Sequence, residues 1–414
     1  MDNMDIFPFL KDSAEESDIL LAQTLKRWAD RSVISKRLEY REDYEKLLKP
    51  AMQKLFIDVE LQKMIWPEQC GGSGLNSPEV ARTLALALEQ VGRADTGIGY
   101  LCSVTFALCS SFNFDCDLNE QLCLRMAPLF CETDDPVIGS LVLTDFAHEE
   151  PSASVPLFRG KRIPAKARRE GDSWVVSGEK MRPLNSGCDA GLFGVFCALE
   201  NEEEPGLILI PGDSPGLRRG EPILKTGLAA SINAEITLSG VSVPAGNLVF
   251  RGEEPLRRML SWLYLNIAAV SVGGLFAAFE IIREWGDTRV IKGKGNLFKE
   301  NPLTASLMAE IAHEILLNRL LLHQLAGMLS NPDIYRQSEK GQLFISALSV
   351  VSHVTQTAEK AINQIMELMG SAGYATEWNL ERYWRDIKTM QVHLGSWELN
   401  KMELARYFFR SQSL

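Results

Sequence analysis

The chain has 414 residues, 46% hydrophobic and 23% charged, the composition of a folded globular protein with room for two or three domains. Lys+Arg 43 against Asp+Glu 54 leaves a net charge of -11, which excludes a general affinity for nucleic acid, so an anionic ligand has to be met by a local basic cluster. The acidic start Met1-Asp2-Asn3-Met4-Asp5 resembles neither a secretory signal nor an Arg-rich transit peptide, and a cytoplasmic protein is expected.

Residues 1–133 read as helical. Apolar periodicity opens at Asp18-Ile19-Leu20-Leu21-Ala22 and returns over Tyr44 to Met64. Ser77-Pro78-Glu79-Val80 has the order of a cap, an N1 proline and a first-turn acid ahead of a helix over Ala81 to Val91. Asp95 reads as the N-cap of the helix that follows it. Between these helices Trp66-Pro67-Glu68-Gln69-Cys70-Gly71-Gly72-Ser73-Gly74 is a loop by its breakers. Five cysteines, Cys102, Cys109, Cys116, Cys123 and Cys131, recur about every seven residues, but Asn113, Asp115, Asp117 and Asn119 interrupt a shared helix there. Small buried thiols in a reducing compartment are the reading for them.

Residues 134–250 change texture. Val137 to Thr144, Trp174 to Val176, Leu192 to Leu199, Leu207 to Ile210 and Ala234 to Leu238 are short β-like runs punctuated by Gly, Pro and Asp. Residues 251–414 return to helical periodicity in four stretches, roughly 253–287, 303–330, 337–369 and 379–411. Leu260 to Phe279 carries no charge and is long enough to span a bilayer, but Asn266, Ser261, Ser271 and Gly273-Gly274 dilute it. A buried core helix is expected, and no transmembrane segment.

Several segments, in the same order, resemble the acyl-CoA dehydrogenase family. Trp66 to Gly74 resembles its Pro-Glu-x-x-Gly-Gly-x-Gly loop, Leu143-Thr144-Asp145 its Leu-Thr-Glu-Pro, and Gly178-Glu179-Lys180 its Gly-x-Lys hairpin. Lys225-Thr226-Gly227-Leu228 with Val241-Ser242-Val243-Pro244 resembles its Lys-x-Gly and Val-Pro passage. Gly370-Ser371-Ala372-Gly373-Tyr374 with Arg385-Asp386 resembles its Gly-Gly-x-Gly-Tyr and Arg-Asp stretch. The resemblance implies an α+β fold: an N-terminal helical domain, a middle antiparallel β-barrel or sandwich, and a C-terminal four-helix bundle. It also implies FAD, an acyl-CoA substrate, a homotetramer or a heterotetramer with a related subunit, and an electron-transfer flavoprotein as acceptor. In the family a carboxylate takes the α-proton while the β-hydrogen leaves as hydride to the flavin. A carboxylate within hydrogen-bond reach is needed because a thioester's α-proton is only weakly acidic.

Counted from Arg385-Asp386, the family's Tyr-Glu-Gly-Thr base motif falls on His393-Leu394-Gly395-Ser396, and the alternative glutamate on the first bundle helix falls on Leu263. Both positions are apolar. Glu398 and His393 are the remaining candidates for the base: Glu398 lies one turn beyond Leu394, and His393 titrates in a suitable range. A polar helix face for Glu398 and a satisfied pocket histidine for His393 are the competing structural readings.

The resemblance implies flavin contacts at Leu143, Thr144, Asp145, Leu184, Arg289, Gly370, Ser371 and Ser396. Arg182-Pro183-Leu184 stands where the family has Trp-Ile-Thr/Ser, removing a ring and a hydroxyl. Arg289 matches the arginine that reaches the FAD diphosphate of a neighbouring subunit. The basic run from Arg159 through Arg162 to Arg169 offers partners for a CoA phosphate, or is a charged hairpin edge, and Leu394 and Gly395 fall against the substrate. The scattered His148, His313, His323, His353 and His393 give no metal-ligand spacing, so no metal is expected. Two functions follow: an acyl-CoA dehydrogenase-like flavoprotein with an atypical base, or the catalytically silent subunit of a heteromeric dehydrogenase.

Overall fold

The structure is a computed structural model describing residues 15–40, 43–115, 119–146, 161–291, 295–337, 341–392 and 396–409. Five helices open the chain: α1 (Glu16–Ser32), α2 (Glu45–Gln53), α3 (Val80–Ala94), α4 (Thr96–Ser110) and α5 (Glu120–Cys131). The last residue of α3 and the first of α4 flank Asp95, whose extended backbone breaks the helix. Its carboxylate accepts from the Ile98 N–H at 2.8 Å, the N-cap geometry its sequence position suggests. The expected cap at Ser77 does not form. The helix itself stands where it was expected, from Val80 through Ala94, but the residue before it, Glu79, makes no side-chain cap. The Ser77 hydroxyl is spent on the Glu79 carboxylate, which it holds below the usual range, while Val80 N–H bonds back to Ser77 O in a tight turn.

Ten strands follow: β1 (Gly139–Val142), β2 (Asp145–Phe146), β3 (Lys161–Arg162), β4 (Ala165–Glu170), β5 (Ser173–Met181), β6 (Leu192–Leu199), β7 (Gly206–Pro211), β8 (Leu217–Pro222), β9 (Ala234–Pro244) and β10 (Leu248–Arg251). Eight form one sheet in the order β10-β7-β6-β4-β5-β9-β8, with β1 also on β6, and β2 pairs with β3 apart from it. The sheet is antiparallel except around β6, whose first half pairs with β1 and second half with β4, both parallel. Strand alternation sorts the central strands between two cores. Leu192, Phe196, Leu207 and Leu209 face the helices, while Phe193, Val195, Ile208 and Ile210 join Trp174, Ile236 and Val241 inside the sheet domain.

The C-terminal helices are α6 (Glu253–Thr288), α7 (Pro302–Leu329), α8 (Pro332–Gln337), α9 (Gln342–Met369), α10 (Leu380–Gln391) and α11 (Ser396–Phe409). The fourth expected stretch is therefore two helices. At the end of α10 the Val392 N–H bonds to Thr389 O, tightening the last turn instead of continuing it. The third stretch starts late because Gly341 takes φ +97, outside the helical region. One hydrophobic core runs from α1 through α3 and α4 into α6, α9 and α10, so the two helical ends of the chain share a single interior. The contact of α6 with α3 and α4 is close because glycine lines it: a Cβ on Gly273 would lie 2.0 Å from Glu89 O, and one on Gly92 2.4 Å from Val270 O. Helix α6 and the stretch Thr96–Phe114 are long and apolar enough to cross a membrane, but 89% and 94% of their apolar windows are buried inside the fold.

Candidate functional site

The chain leaves β1 through Leu143, which is buried, and Thr144, which is half-buried. The segment Arg182–Ser186 is laced beside it. Leu184 N–H donates to Leu141 O at 2.8 Å, Ser140 Oγ donates to Asn185 O at 2.7 Å, and Asn185 Nδ2 donates to Gly139 O at 2.9 Å. From α4, Tyr100 Oη donates to Leu184 O at 3.0 Å, and from the loop before β9, Asn233 Nδ2 donates to Pro183 O at 2.8 Å. Folding thus brings Leu143, Thr144 and Leu184 into one cluster at the end of β1. The ladder of β2 and β3 then sets Asp145 opposite Arg162, so a residue of the basic run joins the same neighbourhood.

The polar content of that cluster is thin. Thr144 supplies a hydroxyl, Leu184 none, and Arg182 is held in the open by two bonds of 3.0 Å to Glu235 Oε1. Of the side-chain groups that the family resemblance implies for a flavin here, the cluster holds the Thr144 hydroxyl and lacks the second hydroxyl and the aromatic wall. Buried Asn185 Oδ1 has no partner among the described residues, and Ser186, whose side chain lies within reach of Asp189, holds φ +45. That conformation is strained for a residue with a Cβ and is kept by the surrounding lacing.

Arg289, Gly370 and Ser371 are not brought to this cluster. Val270 of α6 packs on Gly99, beside Tyr100, whereas Arg289 follows the end of α6 nineteen residues further on, about 28 Å along the helix. There its guanidinium sits 5.3 Å over the Trp285 ring, and Trp285 meets Trp378 edge-on at 5.4 Å, just beyond the Gly370–Tyr374 turn. Gly370 itself takes φ +63 to end α9.

The base positions divide. His393, Leu394 and Gly395, and also Arg159, lie outside the described residues, and Ser396 opens α11. Leu263 is wholly buried in α6. Glu398 is solvent-facing, its side chain 74% exposed and paired with Lys401 at 2.7 Å on the same helix. A general base has to reach a substrate proton, and this placement gives Glu398 no enclosed pocket in which to do so. No cluster of three or more metal-ligating side chains occurs among the described residues.

A second polar site was not legible in the sequence. Asp386 of α10 is buried and accepts from Thr96 Oγ1 at 2.7 Å and from the Leu228 N–H at 2.5 Å. Two motif segments therefore meet face to face: a Cβ on Gly227 would stand 2.5 Å from Arg385 O, and Arg385 Nη1 donates to Thr226 O. Around this contact Tyr44 donates to Asp95 at 2.9 Å, Arg382 stacks on Tyr44, and Arg37 and Tyr383 bond the last carbonyls of α3. Burial, and next the charge of Asp95, push the Asp386 carboxyl up to about 6. No local pattern announces these partners, which are 158 to 346 residues apart in sequence in the contacts Asp386–Leu228, Asp386–Thr96 and Arg37–Tyr383, and only assembly shows them.

Comparison with known proteins agrees with the fold. The sequence model of the acyl-CoA dehydrogenase N-terminal domain matches residues 15–114, and that of the C-terminal domain matches residues 252–408. A probable acyl-CoA dehydrogenase of Bacillus subtilis, YngJ, is 28% identical over 85% of this chain and 88% of its own length. The mitochondrial short-chain specific acyl-CoA dehydrogenase of Mus musculus is 25% identical over 96% of this chain and 91% of its own. Among solved structures, a glutaryl-CoA dehydrogenase from Mycobacterium smegmatis in complex with FADH2 superposes with a TM-score of 0.76 at 18% identity, covering 100% of this chain and 99% of that one.

Proposed function

The chain belongs to the acyl-CoA dehydrogenase family, and on that premise we propose that it is an FAD-dependent oxidoreductase-like protein acting on an acyl-CoA thioester. The observation that carries the reading is the cluster at the end of β1, where Leu143, Thr144 and the laced segment through Leu184 stand together with Arg162 beside them. FAD, when bound, supplies the hydride acceptor. The chain's own part is to hold the flavin through Thr144 and the backbone of Leu143, with the Leu184 side chain beside them, and to meet a CoA phosphate with Arg162 and Arg159. Asp145, Ser396 and, from a neighbouring subunit, Arg289, Gly370 and Ser371 complete the flavin contacts in this reading. Their distance along α6 supports service to a neighbour, since a single protomer keeps Arg289 away from its own cluster. Leucines on the outside of α7, Leu316, Leu317, Leu320 and Leu321, support assembly into a homotetramer or a heterotetramer. The electron acceptor is then an electron-transfer flavoprotein, and the compartment is the cytoplasm.

A second reading has its own support. With Leu263 buried, Leu at position 394 and Glu398 paired in solvent, no carboxylate stands at either usual base position, which favours a silent subunit needing a related catalytic chain. His393 is the one titratable group left at the motif. The visible spectrum of the purified chain, with FAD quantified per protomer, separates these. A full yellow complement bleached by acyl-CoA supports the enzyme. Colourless protein that takes up no added FAD sinks it and supports the silent subunit.

A further inference from the structure

A small cavity is walled by sequence neighbours of both base positions. Its volume is about 20 Å³, room for one water-sized group. Helix α6 contributes Tyr264, next to Leu263, and Ile267, one turn beyond Leu263 and about 6 Å along the axis. Gln391, which ends α10, and Trp397, in the first turn of α11, flank the stretch that carries position 394. From the geometry we propose that this cavity is a subsite for the far end of a short acyl chain bearing one uncharged oxygen, held by hydrogen bonds from Gln356 and Tyr264. The inference rests on the acyl-CoA reading above and narrows it to a substrate class.

Most polar groups around the cavity are already bonded. On α9, Thr355 Oγ1 donates to Val351 O at 2.8 Å, and Gln391 Nε2 donates to Thr355 O at 2.9 Å. From α11, Asn400 Nδ2 donates to Ser352 Oγ at 2.9 Å. Gln356 of α9 is the exception. It is one of the residues lining the cavity, and its Nε2 is buried without a hydrogen-bond partner among the described residues. A buried amide left unbonded is costly, and an oxygen seated in the cavity removes that cost. On the α6 wall Tyr264 is buried, with its ring 5.9 Å from that of Phe344. Burial, and next the charge of Glu403, keep its phenol protonated and so a donor.

These walls select the guest. Ile267, Val351, Met390 and Trp397 supply hydrocarbon around the two donors, so a short apolar chain with a single acceptor at its end fits them. A purely hydrocarbon end leaves the Gln356 amide unbonded. An anionic end is disfavoured, because the charge that reaches Tyr264 from α11 is the negative one of Glu403, and the Arg406 guanidinium is spent on Glu403 itself. A hydroxyl, ether or carbonyl oxygen meets both donors without bringing a charge into the core.

The test is isothermal titration of the purified full chain with short CoA thioesters matched in heavy-atom length, ending in a methyl, a hydroxyl or a carboxylate. The hydroxyl-ended thioester should bind about tenfold tighter than the methyl-ended one, and the carboxylate-ended one no tighter than the methyl-ended one. Gln356→Leu and Tyr264→Phe should each shrink the hydroxyl preference to about threefold or less. The preference is a ratio read within each protein, so a general loss of stability does not move it. Equal binding of hydroxyl and methyl ends, tightest binding of the carboxylate end, or an undiminished preference in both variants overturns the subsite. Thioesters that bind without preference leave the acyl-CoA reading standing and remove only this inference, whereas a chain that binds none of them loses both. If Gln356→Leu does not fold, Tyr264→Phe and the unmodified chain decide it.

Discussion

Tyr100 of α4 donates its hydroxyl to the Leu184 carbonyl at 3.0 Å, so a helix of the N-terminal part positions the backbone of a strand-end segment from the middle of the chain. Both groups are drawn out of water there, and burial pushes the Tyr100 phenol far above its ordinary range, so it stays a donor. Tyr100→Phe removes that donor and leaves the carbonyl without it. A cost of about 1 kcal/mol is expected in chemical denaturation. If Leu184 lies against a flavin, FAD retention after gel filtration should fall by more than the stability loss accounts for.

The α3–α6 crossing allows a paired test of close approach. Gly273 lies against Glu89 O, where an added methyl would have to push two helix backbones apart. Gly273→Ala should cost about 1–3 kcal/mol, as overpacking does elsewhere. Gly327, in the last turns of α7, has nothing within 4 Å of the corresponding position. Gly327→Ala should instead stabilise by about 0.5–1 kcal/mol, because alanine gives up less chain entropy in a helix. Urea unfolding midpoints of the two variants should move in opposite directions.

How much of this was legible in the sequence depends on the range of the contact. Asp95 could be read as a cap because its partner, the Ile98 N–H, is three residues away. The strands were legible because Leu192 to Leu199 and Leu207 to Ile210 are apolar on both faces, and both faces turn out to be buried. Ser77 misled because its hydroxyl had a nearer competitor in Glu79, which no pattern reveals. Of the residues that the motifs singled out, Leu143, Thr144 and Leu184 fall beside one another at the end of β1, whereas the bonds made there by Tyr100 and Asn185, and by Thr96 to Asp386, were not foreseen. Tyr100 sits in an apolar helix like any core aromatic, and its role appears only once the backbone of residue 184 is laid beside it.

The pair Glu89–Arg319 ties α3 to α7 at 3.0 Å, with both side chains almost fully buried. Burial raises the Glu89 carboxyl despite the guanidinium beside it, so the ion pair only partly offsets its own desolvation. Arg319→Met strands a carboxylate in the core and should destabilise by about 3–5 kcal/mol. Because stranding raises the Glu89 carboxyl further, stability in this variant should improve as pH is lowered toward the carboxylate range. The double change Glu89→Leu with Arg319→Met should recover most of the loss, since neither member of the pair is then left as an unpartnered buried charge. A double-mutant cycle in urea at two pH values measures all three.

The question of the base can be put to the chain by adding one. Position 394 carries Leu where the family's motif places glutamate, and Glu398, the nearest carboxylate in sequence, pairs with Lys401 on an exposed helix face. Glu398→Gln therefore should leave any flavin reduction by acyl-CoA unchanged within twofold, whereas His393→Gln should slow it if the imidazole accepts the proton. Leu394→Glu supplies a carboxylate at the motif position, and a well-placed general base is worth about 10²–10⁴ in rate. In flavin-loaded protein, anaerobic bleaching by a panel of acyl-CoA thioesters should accelerate by at least the lower of these factors. The unmodified chain sets the baseline. Acceleration shows that flavin and thioester already meet in productive register and that only the carboxylate is lacking. Loss of bleaching in Glu398→Gln would instead make that exposed carboxylate the base and require α11 to turn inward on binding. Flavin-loaded Leu394→Glu that no thioester bleaches would place the missing parts beyond the base, as expected of a subunit whose catalytic site is completed by another chain.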